Sequence, residues 1–262
     1  MLRARVWTAA IALPAVLGAI ILLPNFGFTV FIAIVGAWGL YEVASVAAAS
    51  DPFAILTIVV AGGGPLLAML TGGDHGEWFF PLAVILLMLG LIARVGTAGA
   101  ENGPKGWVLQ TVGALWVGVL FPYFAMLRNL PHGVGYLLAM LLVVIASDTG
   151  AYFGGRAFGA HKLAPRVSPN KTVEGAIAGL LASMLGGLVL RPWLMPALSG
   201  GEVAAISAAI AILAQLGDLA GSAFKRSAGV KDSGWIFPGH GGLLDRTCSL
   251  VFAAVFSYYC FK

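Results

Sequence analysis

Three carboxylates stand where an apolar chain has little use for them. Asp148 ends the run VVIASDTGAYFGG, Asp218 interrupts AILAQLGDLAGSAF, and Asp245 opens LLDRTCSLVFAAVF. An ionisable group in a membrane segment is costly to hold and usually lines a functional cavity. Taken singly, each also reads as a structural partner for Arg or Lys. All three are expected beside two basic loops, about 154–173 with Arg156, Lys162, Arg166 and Lys171, and about 222–245 with Lys225, Arg226 and Lys231. If a helix continues to about residue 226, Asp218, Ser222 and Lys225 fall at i, i+4 and i+7 on one face, which then offers an anion, a hydroxyl and a cation. The segment SPNKT, residues 168–172, precedes an apolar run, so its hydroxyls and the free N–H groups of a helix start are expected next to Lys171. Helix N-termini of this kind bind phosphate. The glycines of GHGG, residues 239–242, let the backbone approach a ligand closely and lead into Asp245 and Arg246.

The chemistry follows from the atom types. Carboxylate oxygens at Asp218 and Asp245 suit Mg²⁺, which typically takes one or two carboxylates and completes its shell with substrate phosphates and water. Lys and Arg around them suit a polyphosphate. The bland alternative makes the same cations positive-inside determinants lying near anionic headgroups. The carboxylates tip the reading toward a metal-assisted phosphate site facing the cytoplasm, with a lipid-tailed substrate.

The elements that must position these groups are helices. Of the 262 residues, 60% are hydrophobic and only 10% charged, against roughly 25% charged in a soluble domain. Backbone polar groups cannot be left open in a bilayer, so strands or loops facing lipid are excluded. Apolar stretches at about 6–23, 27–48, 53–71, 78–95, 108–127, 134–153, 174–192, 203–221 and 246–261 predict an all-α polytopic integral membrane protein of about nine transmembrane helices. The remainder leaves no room for a separate soluble domain, so residues 1–262 read as one membrane-embedded catalytic domain. The first stretch follows Met-Leu-Arg-Ala-Arg, is longer than a signal peptide's apolar run and lacks a clear cleavage site, so it reads as a retained helix.

The positive-inside rule sets the orientation. A cytoplasmic N-terminus places Arg3, Arg5, Arg94, Lys105, Arg156, Lys162, Arg166, Lys171, Lys225, Arg226, Lys231 and Arg246 inside, and only Arg128, Arg191 and Lys262 outside. The protein is therefore expected in a cell or inner membrane with its site toward the cytoplasm. Cys248 and Cys260 lie on one predicted helix, about 18 Å apart along it, and cannot pair within that helix.

At these residues a resemblance becomes visible. SAFKRSAGVKDSGWIFPGHGGLLDR, residues 222–246, resembles the signature of the phosphatidate cytidylyltransferases, or CDP-diacylglycerol synthases: S-x-apolar-K-R, four residues, K-D, then H-G-G-x-x-D-R followed by x-D. SDTGAYFGGRAFGAHKLAPRVSPNKTVEGAIAG, residues 147–179, is similar to the same family. The resemblance implies transfer of CMP from CTP to phosphatidic acid, giving CDP-diacylglycerol and pyrophosphate. It implies Mg²⁺ at Asp218 and Asp245, together with a second cation. Lys225, Arg226, Lys231 and Arg246 then contact phosphates, Ser168, Lys171 and Thr172 form the nucleotide or phosphate pocket with Asp148 nearby, and Ser222, Asp232, His240, Gly241 and Gly242 join the binding set. CTP, phosphatidic acid and membrane lipids are the implied partners, a homodimer the implied assembly, and nucleic acid is not expected.

One position departs from the pattern. Cys248 stands where the signature has its last Asp, and a thiol is a poor partner for hard Mg²⁺. Ser249, at i+4 from Asp245, is then a candidate oxygen donor; a single metal ion in place of two, or a weak or inactive relative, are the other readings. His240 reads as a proton shuttle, a phosphate contact or a polar loop residue; His161 reads as loop surface, and His75 and His132 as outer loops. Trp235 in SGWIFPG stacks on cytosine or anchors at headgroups. Glu42 pairs with an inside cation or joins a polar network, and AGGGP, residues 61–65, marks a kink or close helix packing in the third helix. Other functions compatible with the charges are an enzyme acting on another lipid phosphate and an anion transporter, although the two halves show no matching interrupted helices.

Overall fold

Apolar sequence removes water as a partner for the backbone, so the chain satisfies its own N–H and C=O groups in helices. The computed structural model describes residues 2–47, 52–71, 76–234 and 241–262. The helices are α1 (Leu2–Leu22), α2 (Asn25–Ala47), α3 (Pro52–Thr71), α4 (Gly76–Leu120), α5 (Pro122–Arg128), α6 (Gly133–Phe158), α7 (Val173–Leu194), α8 (Gly200–Ser227) and α9 (Leu244–Phe261). Five stretches among the described residues are long and apolar enough to cross a membrane: Asn25–Ala47, Gly106–Arg128, Gly133–Phe158, Val173–Leu194 and Gly200–Ser227. The protein is a polytopic, helical membrane protein.

The expected plan is corrected in one place. The segments expected as separate helices at 78–95 and 108–127 run as one helix, α4, to Leu120, and only the short α5 follows beyond Phe121. Hydropathy falls across Arg94 to Lys105 because the residues become polar, yet polarity alone does not end a helix. The helix ends at Leu120, and Pro122 opens α5, a first position where its missing N–H costs nothing. The helical class holds, and beside the helices lies one two-stranded antiparallel sheet, β1 (Lys162–Ala164) and β2 (Ser168–Thr172). Its register pairs Lys162 with Thr172 and Ala164 with Ser168. The turn between the strands closes with Val167 N donating to Ala164 O at 3.1 Å, and Pro165 occupies the second turn position, where its fixed φ is favourable.

The chain divides into two compact units, Met1–Ala125 with Phe224–Asp245, and Met126–Ala223 with Arg246–Lys262. In the first, α2 buries a stripe of Phe28, Ile32, Gly36, Gly39, Leu40, Val43 and Ala47, spaced three and four apart as one helix face requires. The glycines of AGGGP stay inside α3 and serve close packing: a Cβ on Gly118 of α4 would collide with the backbone of Gly62. In the second unit α6 and α7 meet through small residues. A Cβ on Gly175 would lie 2.8 Å from Ala151 O, and one on Gly179 would lie 2.7 Å from Ser147 O. This is the small-residue packing that lets membrane helices approach when apolar side chains gain nothing over lipid. Elsewhere in that unit Ala139, Met195 and Val203 form a buried cluster, and Tyr136 stacks on Phe261 with ring centroids 4.2 Å apart.

Candidate active site

In the second unit the hairpin is fastened to α7 by the residues that begin the helix. Thr172 is the N-cap of α7, extended at φ −125° and ψ 154°, and its Oγ1 accepts from Gly175 N at 3.1 Å. An oxygen there satisfies one of the N–H groups left open at a helix start. Glu174, the second residue of α7, accepts from Ala160 N at 3.1 Å and His161 N at 3.2 Å, and stands 2.6 Å from His161 Nδ1. These contacts fix both strand ends. Thr172 therefore acts as a buried cap, while Ser168 and Lys171 remain on the strand.

Strand β2 delivers Lys171 to α8, where its Nζ lies 2.6 Å from Asp218 Oδ2. Asp148 of α6 lies within electrostatic reach of both Asp218 and Lys171. Asp218 keeps half its side chain exposed, and Asp148 is exposed as well. Two carboxylates and a lysine from three elements thus share one location, which a hard cation and a phosphate both suit. Ser222 follows one turn after Asp218 on α8. Among the described residues no three His, Cys, Asp or Glu side chains cluster as a complete ligand set, and Mg²⁺ needs no such cage when substrate phosphates complete its shell.

In the first unit the end of α8 is closed by a two-bond cap. Val230 N donates to Lys225 O at 3.0 Å and Gly229 N to Arg226 O at 3.1 Å, with Gly229 at φ 74°. That pattern is a Schellman motif, which needs a left-handed residue at this position and explains the glycine between KR and KD. It leaves Lys225 and Arg226 in the last helical turn, where cations favour the negative end of the helix dipole. Lys231 and Asp232 follow on exposed chain.

Lys225 Nζ forms an ion pair with Asp245 Oδ1. Asp245 Oδ2 accepts from Ser233 N at 2.9 Å, Gly242 N at 2.9 Å and Ser233 Oγ at 3.1 Å. The carboxylate expected to face a metal is only 6% exposed, and both of its oxygens are engaged by protein donors. Gly241 has φ 81°, and a Cβ there would collide with Asp245 Oδ2, so the glycine is required twice over. His240 and Trp235 lie outside the described residues. Arg246 occupies the first turn of α9 and is exposed.

Sequence reasoning missed Ser233 and left Glu42 unassigned. The structure gives Glu42 the polar network of the two alternatives. Its carboxylate is 2% exposed and accepts from Trp38 Nε1 at 3.2 Å, Ser233 Oγ at 3.0 Å, Leu243 N at 2.7 Å and Leu244 N at 3.0 Å. The available signal was a lone carboxylate inside an apolar helix stripe.

The sequence pattern of the cytidylyltransferase family matches residues 3–262. The chain belongs to the cytidylyltransferase family. Among relatives, the phosphatidate cytidylyltransferase of Haemophilus influenzae is 34% identical over 289 aligned positions that take in 100% of this chain and 99% of the relative. That of Staphylococcus epidermidis is 38% identical over 192 residues, 71% of this chain and 72% of the relative. That of Bacillus subtilis is 39% identical over 150 residues, 57% and 56%. Family membership makes the protein a nucleotidyltransferase, built here into membrane helices. In this cytidylyltransferase the last Asp of the signature is replaced by Cys248, which is buried on α9. A Cβ on Gly217 of α8 would collide with the Cys248 carbonyl, so α8 and α9 touch closely at that point.

Proposed function

We propose that this protein is a phosphatidate cytidylyltransferase: it transfers CMP from CTP to phosphatidic acid and releases pyrophosphate and CDP-diacylglycerol. The observation that carries the reading is the meeting of Lys171 with Asp218 at 2.6 Å, beside Asp148, on segments that bear the family's pattern. In the reaction a phosphate oxygen of phosphatidic acid forms a bond to the α-phosphorus of CTP. The bond from that phosphorus to the bridging oxygen breaks, and pyrophosphate leaves with the electron pair. An ionised phosphate is already a nucleophile, so little general-base help is needed. The protein's contribution is alignment of two anions and stabilisation of charge on the transferring group.

In this reading Lys171 neutralises a phosphate of the nucleotide, with Ser168 contributing a hydroxyl and Thr172 holding the hairpin on α7. Lys225, Arg226, Lys231 and Arg246 are the further cations available to phosphates. Asp218 would hold Mg²⁺, with Asp148 adding negative charge, since an exposed carboxylate with oxygen donors fits that ion. Mg²⁺, when bound, supplies charge neutralisation on the nucleotide phosphates. Asp245, with both oxygens engaged, fits the role of holding Lys225 and the glycine turn. The inward bias of Lys and Arg supports a cytoplasmic N-terminus and site.

The test is pyrophosphate release by the purified full chain in detergent micelles. Release that requires CTP, phosphatidic acid and Mg²⁺ together is expected. Release from CTP without lipid, or none with the folded protein, contradicts the reading.

A further inference from the structure

The carboxylate of Glu42 is two hundred residues in sequence from the groups it holds, with separations of 191, 201 and 202 to Ser233, Leu243 and Leu244. All lie in the first unit. Its four donors divide two to each oxygen, Trp38 Nε1 and Leu243 N on Oε1, Leu244 N and Ser233 Oγ on Oε2. That fills the acceptor capacity of a carboxylate. Leu243 N and Leu244 N are N–H groups at the start of α9, which a helix cannot satisfy internally. A residue of α2 therefore caps α9 from outside, one residue before Asp245.

The glycines of the signature are fitted to the same carboxylate. A Cβ on Gly234 would lie 2.9 Å from Glu42 Oε1, and a Cβ on Gly242 would collide with Glu42 Oε2 and Ser233 Oγ. Ser233 in turn donates through both N and Oγ toward Asp245 Oδ2. Moving Glu42 moves the turn, and moving the turn moves Asp245 and its partner Lys225.

We propose that Glu42 is a positioning residue for the reaction: through Ser233 and the Leu243 and Leu244 amides it sets the Gly241–Asp245 turn and so orients Asp245 and Lys225. The inference rests on the cytidylyltransferase reading for its kinetic consequence and on the hydrogen bonds alone for its structural one. The two are tested separately. Hydrogen–deuterium exchange of the full chain in micelles reads the turn directly. Glu42→Gln places an amide NH₂ against two of the donors, and exchange over residues 241–245 is expected to rise while exchange over α6 and α7 stays unchanged. Unchanged exchange over the turn overturns the proposal, whether or not the parent turns over CTP and phosphatidic acid.

With an active parent, Glu42→Gln is expected to lower kcat roughly 100-fold, the size of effect that follows a misplaced reacting group. KM for CTP is expected to change by less than about threefold. The Glu42→Gln/Ser233→Ala double variant should lose no more than the first substitution alone, because both act on one network. Additive losses, or a Glu42→Gln enzyme with parental kcat, overturn it. If Glu42→Gln does not fold, Glu42→Asp, which keeps the carboxylate and shortens its reach, replaces it in both measurements with the same criteria.

Discussion

Glu42 of α2 and Asp245 of α9 accept from one hydroxyl: Ser233 Oγ lies 3.0 Å from Glu42 Oε2 and 3.1 Å from Asp245 Oδ2. A hydroxyl has a single hydrogen, so it serves the two carboxylates in turn and ties their positions together. Ser233→Ala removes that tie and leaves Asp245 Oδ2 with the two backbone donors. The expected result is a turnover about tenfold lower and a stability loss of about 1–3 kcal/mol, read by pyrophosphate release and by thermal unfolding in micelles. A variant as active and as stable as the parent would show the shared hydroxyl to be incidental.

The Lys171–Asp218 pair makes the opposite division between stability and activity. Asp218 is half exposed, and exposed ion pairs contribute about 0–1 kcal/mol to stability. Asp218→Asn is therefore expected to unfold within about 1 kcal/mol of the parent while turnover falls by roughly 100-fold or more. Lys171→Met should behave the same way. A variant that is destabilised in proportion to its lost activity would make the pair a structural one.

Close helix approach gives a prediction about folding alone. A Cβ on Gly118 would collide with the Gly62 backbone, whereas a Cβ on Gly18 of α1 meets nothing within 4 Å. Backbone cannot swing aside as a long side chain can, so Gly118→Ala should cost about 1–3 kcal/mol by forcing α3 from α4. Gly18→Ala should be neutral or slightly stabilising, since Ala is the better helix former. Unfolding midpoints of the two variants measured side by side decide it.

The parts of the fold that were legible in the sequence are those where one physical cause acts alone. Continuation of α8 past its apolar stretch at 203–221 to about residue 226 was the condition for Asp218, Ser222 and Lys225 to share a face, and the helix runs to Ser227. The joining of two expected helices into α4 was not legible, because hydropathy reports the surroundings of side chains and is silent on backbone continuity. The hairpin was hidden for a related reason: β1 and β2 together span only a few residues, and their ends are fixed by Glu174 of the following helix and by the capping side chain of Thr172 rather than by a strand pattern. At the site, Lys171 and Asp218 were each singled out from charge and position, but their pairing was not, because β2 and α8 are far apart in sequence and no local spacing joins them. Glu42 was visible as an oddity without a partner, since its partners lie at the far end of the chain and no local spacing points to them.

Cys248 carries a prediction from its burial. The side chain is 6% exposed, and a thiol is a poor ligand for a hard cation. Cys248→Ser should keep turnover within about threefold of the parent and leave its Mg²⁺ dependence unchanged, because neither residue is required to supply a hard ligand. A large loss of activity, or a shift of metal preference toward softer ions in the parent, would give the thiol a direct part in the site.

The most direct test of the central claim follows the phosphorus. The purified chain is incubated with phosphatidic acid, Mg²⁺ and CTP labelled at either the α- or the γ-phosphate, and label is counted in the extracted lipid. Transfer of CMP predicts label in the lipid from α-labelled CTP and none from γ-labelled CTP. Lipid labelled from the γ-phosphate would mean a lipid kinase, and lipid unlabelled from both, with the protein folded, would contradict the cytidylyltransferase assignment.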